Sequence, residues 1–151
     1  MTPRIDYQRI APEVRQAIRA MDQAVQESGL EQSLVELVKI RVSQINGCAF
    51  CLDMHTKDAL LLGISLQRLF ALSAWRETPF YTDRERMALA WAEAVTTLTE
   101  GVSDPVYEQA QSIFSERELV FLTLAVISIN SWNRLAISMR TPPGTYRPDL
   151  A

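Results

Sequence analysis

INGCAFCLDMHTK, residues Ile45 to Lys57, holds both cysteines of the chain, Cys48 and Cys51, and its only histidine, His55. Asn46-Gly47 reads as the end of one helix and Cys48 as the start of the next, because glycine adopts the left-handed conformation of a helix C′ position without penalty. The stretch therefore predicts two antiparallel helices joined by a tight reversal. A helix start suits a thiol, since unpaired N–H groups and the helix dipole favour the thiolate. Cys48 and Cys51 are three residues apart and share a face, close enough for a disulfide. His55 lies one turn beyond Cys51 on that face, where an imidazole can take the thiol proton.

Upstream, a helix over Gln32 to Asn46 carries the apolar stretch LVELVKI, interrupted by Glu36. Counted back from Asn46, Glu36 lies roughly 15 Å along the first helix; counted on from Cys48, His55 lies roughly 10 Å along the second. Folded as an αα-hairpin, the two come about level, so direct contact or one bridging water is expected. A local alternative exists: Ser33-Leu34-Val35-Glu36 has the form of a capping box, which would spend Glu36 on its own helix end.

Helical signals dominate the rest. Pro12 opens a helix to about Ser28, stopped by Gly29, with Val14, Ile18, Met21 and Val25 on one face. A helix from Cys48 ends before Gly63, and a shorter one covers Ser65 to Trp75. Thr82 to Glu85 is a capping box starting a helix to about Leu98, broken by Gly101. Asp104-Pro105 places an N-cap before a proline, with a helix to about Ile113. Ser115 to Glu118 is a second capping box, opening a long apolar helix to about Arg140. Nothing alternates with period two for long. The fold class is all-α, a single-domain bundle of about six to seven helices. The domain divides as an N-terminal helix (1–30), a core carrying the CxxC pair (31–100), C-terminal helices (101–140) and an extended, proline-broken tail (141–151).

The chain has 151 residues, 48% of them hydrophobic, and a formal charge of −3. That composition fits one globular domain and gives no dense basic block to grip nucleic acid or anionic lipid. No apolar leader is visible at the N-terminus, and the apolar run Leu119 to Ile129 is too short to span a bilayer. The reading is a soluble, cytoplasmic protein. A last helix apolar on most sides must be central or covered by another subunit, so a homo-oligomer is expected. Two cysteines make no secreted disulfide scaffold, and a close pair in a cytosolic chain points to catalysis or metal. A structural zinc site wants four ligands, and here a carboxylate would have to complete the set. Trp91 and Trp132 read as core, whereas Asn130 to Arg134 offers polar groups either to the site or to a subunit contact.

Glu36, eleven residues, Cys48, Cys51, three residues and His55 has the form E-x11-C-x-x-C-x-x-x-H. With Ser43, Asn46-Gly47, Ala59, Gly63 and Asn130-Ser131-Trp132-Asn133-Arg134, it resembles the AhpD-like alkylhydroperoxidases of the carboxymuconolactone decarboxylase superfamily. The resemblance implies an all-helical subunit forming trimers or hexamers. It also implies reduction of hydroperoxides without haem, flavin or metal. By position Cys51 would attack the peroxide, Cys48 would resolve, and Glu36 with His55 would relay the proton. A dithiol partner, lipoyl-bearing or thioredoxin-like, would restore the pair. Phe50 stands where the type enzyme has a second histidine.

Overall fold

The computed structural model describes residues 2–148, and its organising element is α3 (Gln32–Asn46). Val35, Val38 and Val42 of α3 face one apolar cluster, and Leu37 and Ile40 face another. With two faces apolar, α3 runs through the middle of the molecule, packed against α4 (Ala49–Leu61), α6 (Asp83–Thr97) and α8 (Glu116–Met139). A third stripe, Glu36, Lys39, Ser43 and Asn46, recurs at steps of three, four and three. It is therefore a single polar line along the helix.

The expected reversal is present. Gly47 caps α3 at φ 70°, and Cys48 is the N-cap of α4. The two capping boxes also form: Thr82 with Glu85 opens α6, and Ser115 with Glu118 opens α8. α2 (Pro12–Gln26) packs against α8, burying Ile18 and Val25, whereas Val14 near its start is 40% exposed. Residues Tyr7–Ile10 add a one-turn helix, α1, which apolar periodicity cannot signal at that length.

Three local expectations need correction. The helix expected over Ser65 to Trp75 is α5 (Leu66–Ala71), capped by Ser65, followed by a 3-10 turn over Leu72–Glu77. The change of path lets Trp75 donate to Glu93, which Arg41 and Arg76 also hold. α7 (Asp104–Ile113) is capped by Ser103, so Asp104 and Pro105 are both inside its first turn. Ser33 lies within α3 rather than at its end, because the N-cap is Glu31, so Glu36 forms no capping box.

α8 is the long helix of the core: Leu122, Ala125, Val126 and Ile129 are fully buried. At 24 residues it is apolar over more than the run from Leu119 to Ile129, enough by length and composition alone to cross a bilayer. Its contacts with α2, α3 and α6 bury part of that apolar surface, while Val120, Ile127 and Ile137 remain exposed. Near its end, Asn133 is fully buried, accepts from Asn46 Nδ2 at 2.8 Å and donates to Ser43 Oγ at 3.0 Å. Asn46 Nδ2 also donates to Asn130 Oδ1 at 2.9 Å. The Asn130 to Arg134 stretch thus locks the α3 end, just before the reversal.

Beyond α8 the described tail has no helix or strand and returns along α4. Gly144 N donates to Asp53 at 3.0 Å, Lys57 Nζ to the Tyr146 carbonyl at 3.1 Å, and Tyr146 OH to Asp58 at 2.7 Å. The last three residues of the tail lie outside the described residues.

Asn133→Ala leaves Ser43 and Asn46 each short of a buried partner. It is expected to cost about 1–3 kcal/mol of stability in urea unfolding, without a change in helix content by circular dichroism.

Candidate active site

Cys48 leads α4 with extended backbone, so its side chain turns back over the first turn and its sulfur accepts from Cys51 N at 3.3 Å. The two Cα atoms are 5.4 Å apart and the sulfurs lie at disulfide distance. Both residues are buried, Cys48 at 1% exposure and Cys51 at 3%. The two differ in what they face: Cys51 opens on a cavity of about 610 Å³, and Cys48 is absent from its walls. Burial thus closes Cys48 to a thiol approaching from the helix tip.

His55, one turn on, lines the same cavity, and its Nδ1 lies 2.8 Å from Glu36 Oε2. The hairpin thus brings the acid and the imidazole into direct contact. Burial pushes the Glu36 carboxyl up, but the His55 bond and charge, with Lys39 nearby, outweigh it and leave the carboxyl below its ordinary value. An ionised carboxylate can only accept, so Nδ1 carries the proton and Nε2 is left with the lone pair.

Around this pair lie groups the sequence reading did not single out. Lys39 Nζ is 3.5 Å from Glu36 Oε1 and 3.8 Å from Asp22 Oδ1. Asp22 accepts from Ser128 Oγ at 2.7 Å and from Trp132 Nε1 at 2.8 Å. Trp132 is thus a wall of the site with its N–H engaged, not simply core, while Trp91 is buried with its N–H on Thr123. The signals were present. Lys39 shares the polar stripe with Glu36, and Asp22 interrupts the face defined by Ile18 and Val25 of α2.

Asp58, three residues past His55, has a carboxylate that converges with Glu36 and His55, their ligand atoms all within 4.8 Å. Burial chiefly pushes its carboxyl up, Glu36 adds to that, and the bond from Tyr146 works against it. Those three residues are the convergent donor set among the described residues, and neither cysteine belongs to it. The Lys39 ammonium beside Glu36 makes this a poor seat for a second cation.

The two acids carry opposite pH signatures. Glu36 titrates below its ordinary 4.5 when folded, so its contribution to stability is complete above that value and is lost as pH falls through the lowered one. Asp58 titrates above its ordinary 3.8, so stability linked to its neutral form is present below that value and is lost as pH rises through the raised one. Urea unfolding across the acid range is expected to show a flatter low-pH fall in Glu36→Gln. Asp58→Asn should be more favourable, relative to the unsubstituted chain, at neutral pH than at pH values below 3.8.

Residues 12–94 match the carboxymuconolactone decarboxylase family, a span that includes the Glu36, Cys48, Cys51 and His55 constellation. The uncharacterized protein YdfG of Bacillus subtilis is 41% identical over 140 residues, covering 92% of this chain and 95% of that one. A protein of unknown function from Agrobacterium tumefaciens, provisionally named an AhpD antioxidant-defence protein, superposes with a TM-score of 0.91 at 42% identity. It covers 96% of this chain and 100% of its own. The debrominase Bmp8 shares the fold at 18% identity and a TM-score of 0.79, over 89% of this chain and 73% of its own. The chain therefore belongs to the carboxymuconolactone decarboxylase family and has the AhpD-like fold.

Proposed function

We propose that the chain is a thiol-dependent peroxidase that reduces organic hydroperoxides through Cys51 and Cys48. The observation that carries this reading is the 2.8 Å contact between His55 and Glu36 on the wall of the cavity into which Cys51 opens. Similarity to a protein named for antioxidant defence supports it.

The cycle balances with the residues at hand. His55 Nε2 takes the Cys51 thiol proton, and Glu36 stabilises the resulting imidazolium. The thiolate attacks the terminal peroxide oxygen; the O–O bond breaks, giving a Cys51 sulfenic acid and an alkoxide that recovers the proton from His55 as an alcohol. The Cys48 thiol condenses with the sulfenic acid, water leaves, and the disulfide forms. A dithiol supplies two electrons and two protons to reopen it. Net, hydroperoxide plus dithiol gives alcohol, water and the oxidised dithiol.

Burial shapes the reductive half. Only Cys51 faces the cavity, so a reducing thiolate attacks its sulfur and Cys48 departs as the thiolate. The Cys51 amide N–H on the Cys48 sulfur stabilises that departing charge. A slim dithiol arm such as a lipoyl group suits this access better than the broad face of a thioredoxin-like protein. The exposed apolar side chains Leu60, Leu61, Leu66 and Phe70 support assembly into a homo-oligomer, a trimer or hexamer by the family resemblance. A cytoplasmic location, where dithiol reductants are abundant, fits the same chemistry.

Reduced protein exposed to cumene hydroperoxide, followed by thiol counting and mass spectrometry, tests the reading. An intramolecular Cys48–Cys51 disulfide should form far faster than in free dithiothreitol. Cys48→Ser should accumulate a dimedone-trappable sulfenic acid at Cys51, and Cys51→Ser should be inert. His55→Gln is expected to slow the first step by about 10²–10⁴-fold. Oxidation no faster than in the free dithiol would sink the proposal.

A further inference from the structure

The cavity wall carries two positive charges with nothing to pair them. Arg15 and Arg19 lie one turn apart on α2, so they share a face, and both line the cavity that holds Cys51 and His55. Among the described residues, neither guanidinium has a hydrogen bond, ion pair or ring contact. By contrast, the arginines Arg41, Arg68, Arg76 and Arg84 each sit on a carboxylate. Arg15 is half-buried and Arg19 exposed, so an anion entering the cavity can reach both guanidinium groups and relieve their mutual repulsion.

The acids of the same cavity do not meet that need, because each already holds a donor. Glu36 is engaged by His55 and Lys39, Asp22 by Ser128 and Trp132, Asp58 by Tyr146, and Glu27 by Gln23. The same walls include Phe50, Met54 and Trp132, which suit a hydrocarbon body. A volume of about 610 Å³ lies in the range of pockets for medium-sized organic molecules.

We propose that Arg15 and Arg19 form a carboxylate-recognition site that selects amphiphilic organic acids as occupants of the cavity. Arginine suits the task, since its planar fork meets a carboxylate with two parallel hydrogen bonds. The substrate class is then a hydroperoxide on an apolar chain bearing a carboxylate, with the acid held at α2 and the peroxide presented to Cys51. The identity of the reacting group rests on the peroxidase reading, whereas the carboxylate site does not.

Equilibrium binding to the disulfide form of the full chain separates the two. Octanoate is expected to bind about tenfold or more tightly than octanamide, its uncharged analogue, with the preference shrinking as salt is raised. The double variant Arg15→Gln/Arg19→Gln should bind both alike, while Arg9→Gln, outside the cavity, should keep the preference. Equal binding of the two probes to the unsubstituted chain, no binding of either, or a preference that survives in the double variant would overturn the site. Turnover then tests the substrate class: a fatty-acid hydroperoxide should be favoured over its methyl ester, mainly through KM, and the double variant should erase that ratio. If no hydroperoxide is turned over, the peroxidase reading falls, and octanoate binding still decides the carboxylate site.

Discussion

A carboxylate buried in the middle of a helical protein must find partners or be neutralised, and Glu36 sets that requirement here. It is one member of a polar line down α3 that continues through Lys39, Ser43 and Asn46. The line's four members are met from three directions: Glu36 by His55 on α4, Lys39 by Asp22 on α2, and Ser43 and Asn46 by Asn133 on α8. The apolar clusters on the other faces of α3 favour compactness but tolerate sliding. The polar line does not, because a shift of one turn would leave several buried groups unpaired at once, each at a cost of about 1–3 kcal/mol. The same contacts that fix how four helices sit together thereby place an oriented imidazole on the cavity that Cys51 also lines.

The reversal at Gly47 serves both ends of that arrangement. Asn46 is held to Asn130 and Asn133, so the end of α3 is fixed before the chain turns. Cys48 then becomes an N-cap, a position usually given to Ser, Thr, Asp or Asn because their oxygen accepts a backbone N–H. A sulfur in that place accepts the Cys51 N–H more weakly as a thiol and more strongly as a thiolate. The cap is therefore best satisfied in the reduced, charged state, which ties the redox state of the pair to the local structure of the helix start.

Much of this was legible in the sequence because the signals were local. Gly47, the two capping boxes and the apolar spacing of α3 are short-range patterns, and counting rise per residue from a turn places Glu36 opposite His55. What escaped depends on contacts distant in sequence. Asp22 meets Ser128 and Trp132 across more than a hundred residues, and no periodicity links them. Asp58 gains its role from Tyr146 on the returning tail, which composition marked only as extended. The path change after Ala71 likewise follows the demand of Glu93 for Trp75 and Arg76, a tertiary preference that local propensity does not contain. Burial of Cys48 also lay beyond reach, since it depends on what packs over a helix tip rather than on the tip itself.

The charge arrangement of the cavity follows from what each cation faces. Lys39 is buried beside Glu36 and Asp22, and its ammonium helps keep Glu36 ionised against the pull of burial. An ionised Glu36 fixes the proton of His55 on Nδ1 and leaves the lone pair on Nε2; a neutral Glu36 could donate instead and reverse the tautomer. Asp58 stands close enough that a second negative charge would compete for the same imidazole, and burial and the nearness of Glu36 both disfavour its ionised form. One carboxylate orients and one is biased toward its neutral form, with Lys39 a lesser influence that favours the ionised form of both. Arg15 and Arg19, on the same cavity, have no ion-pair partner among the described residues. Their field is directed at whatever enters.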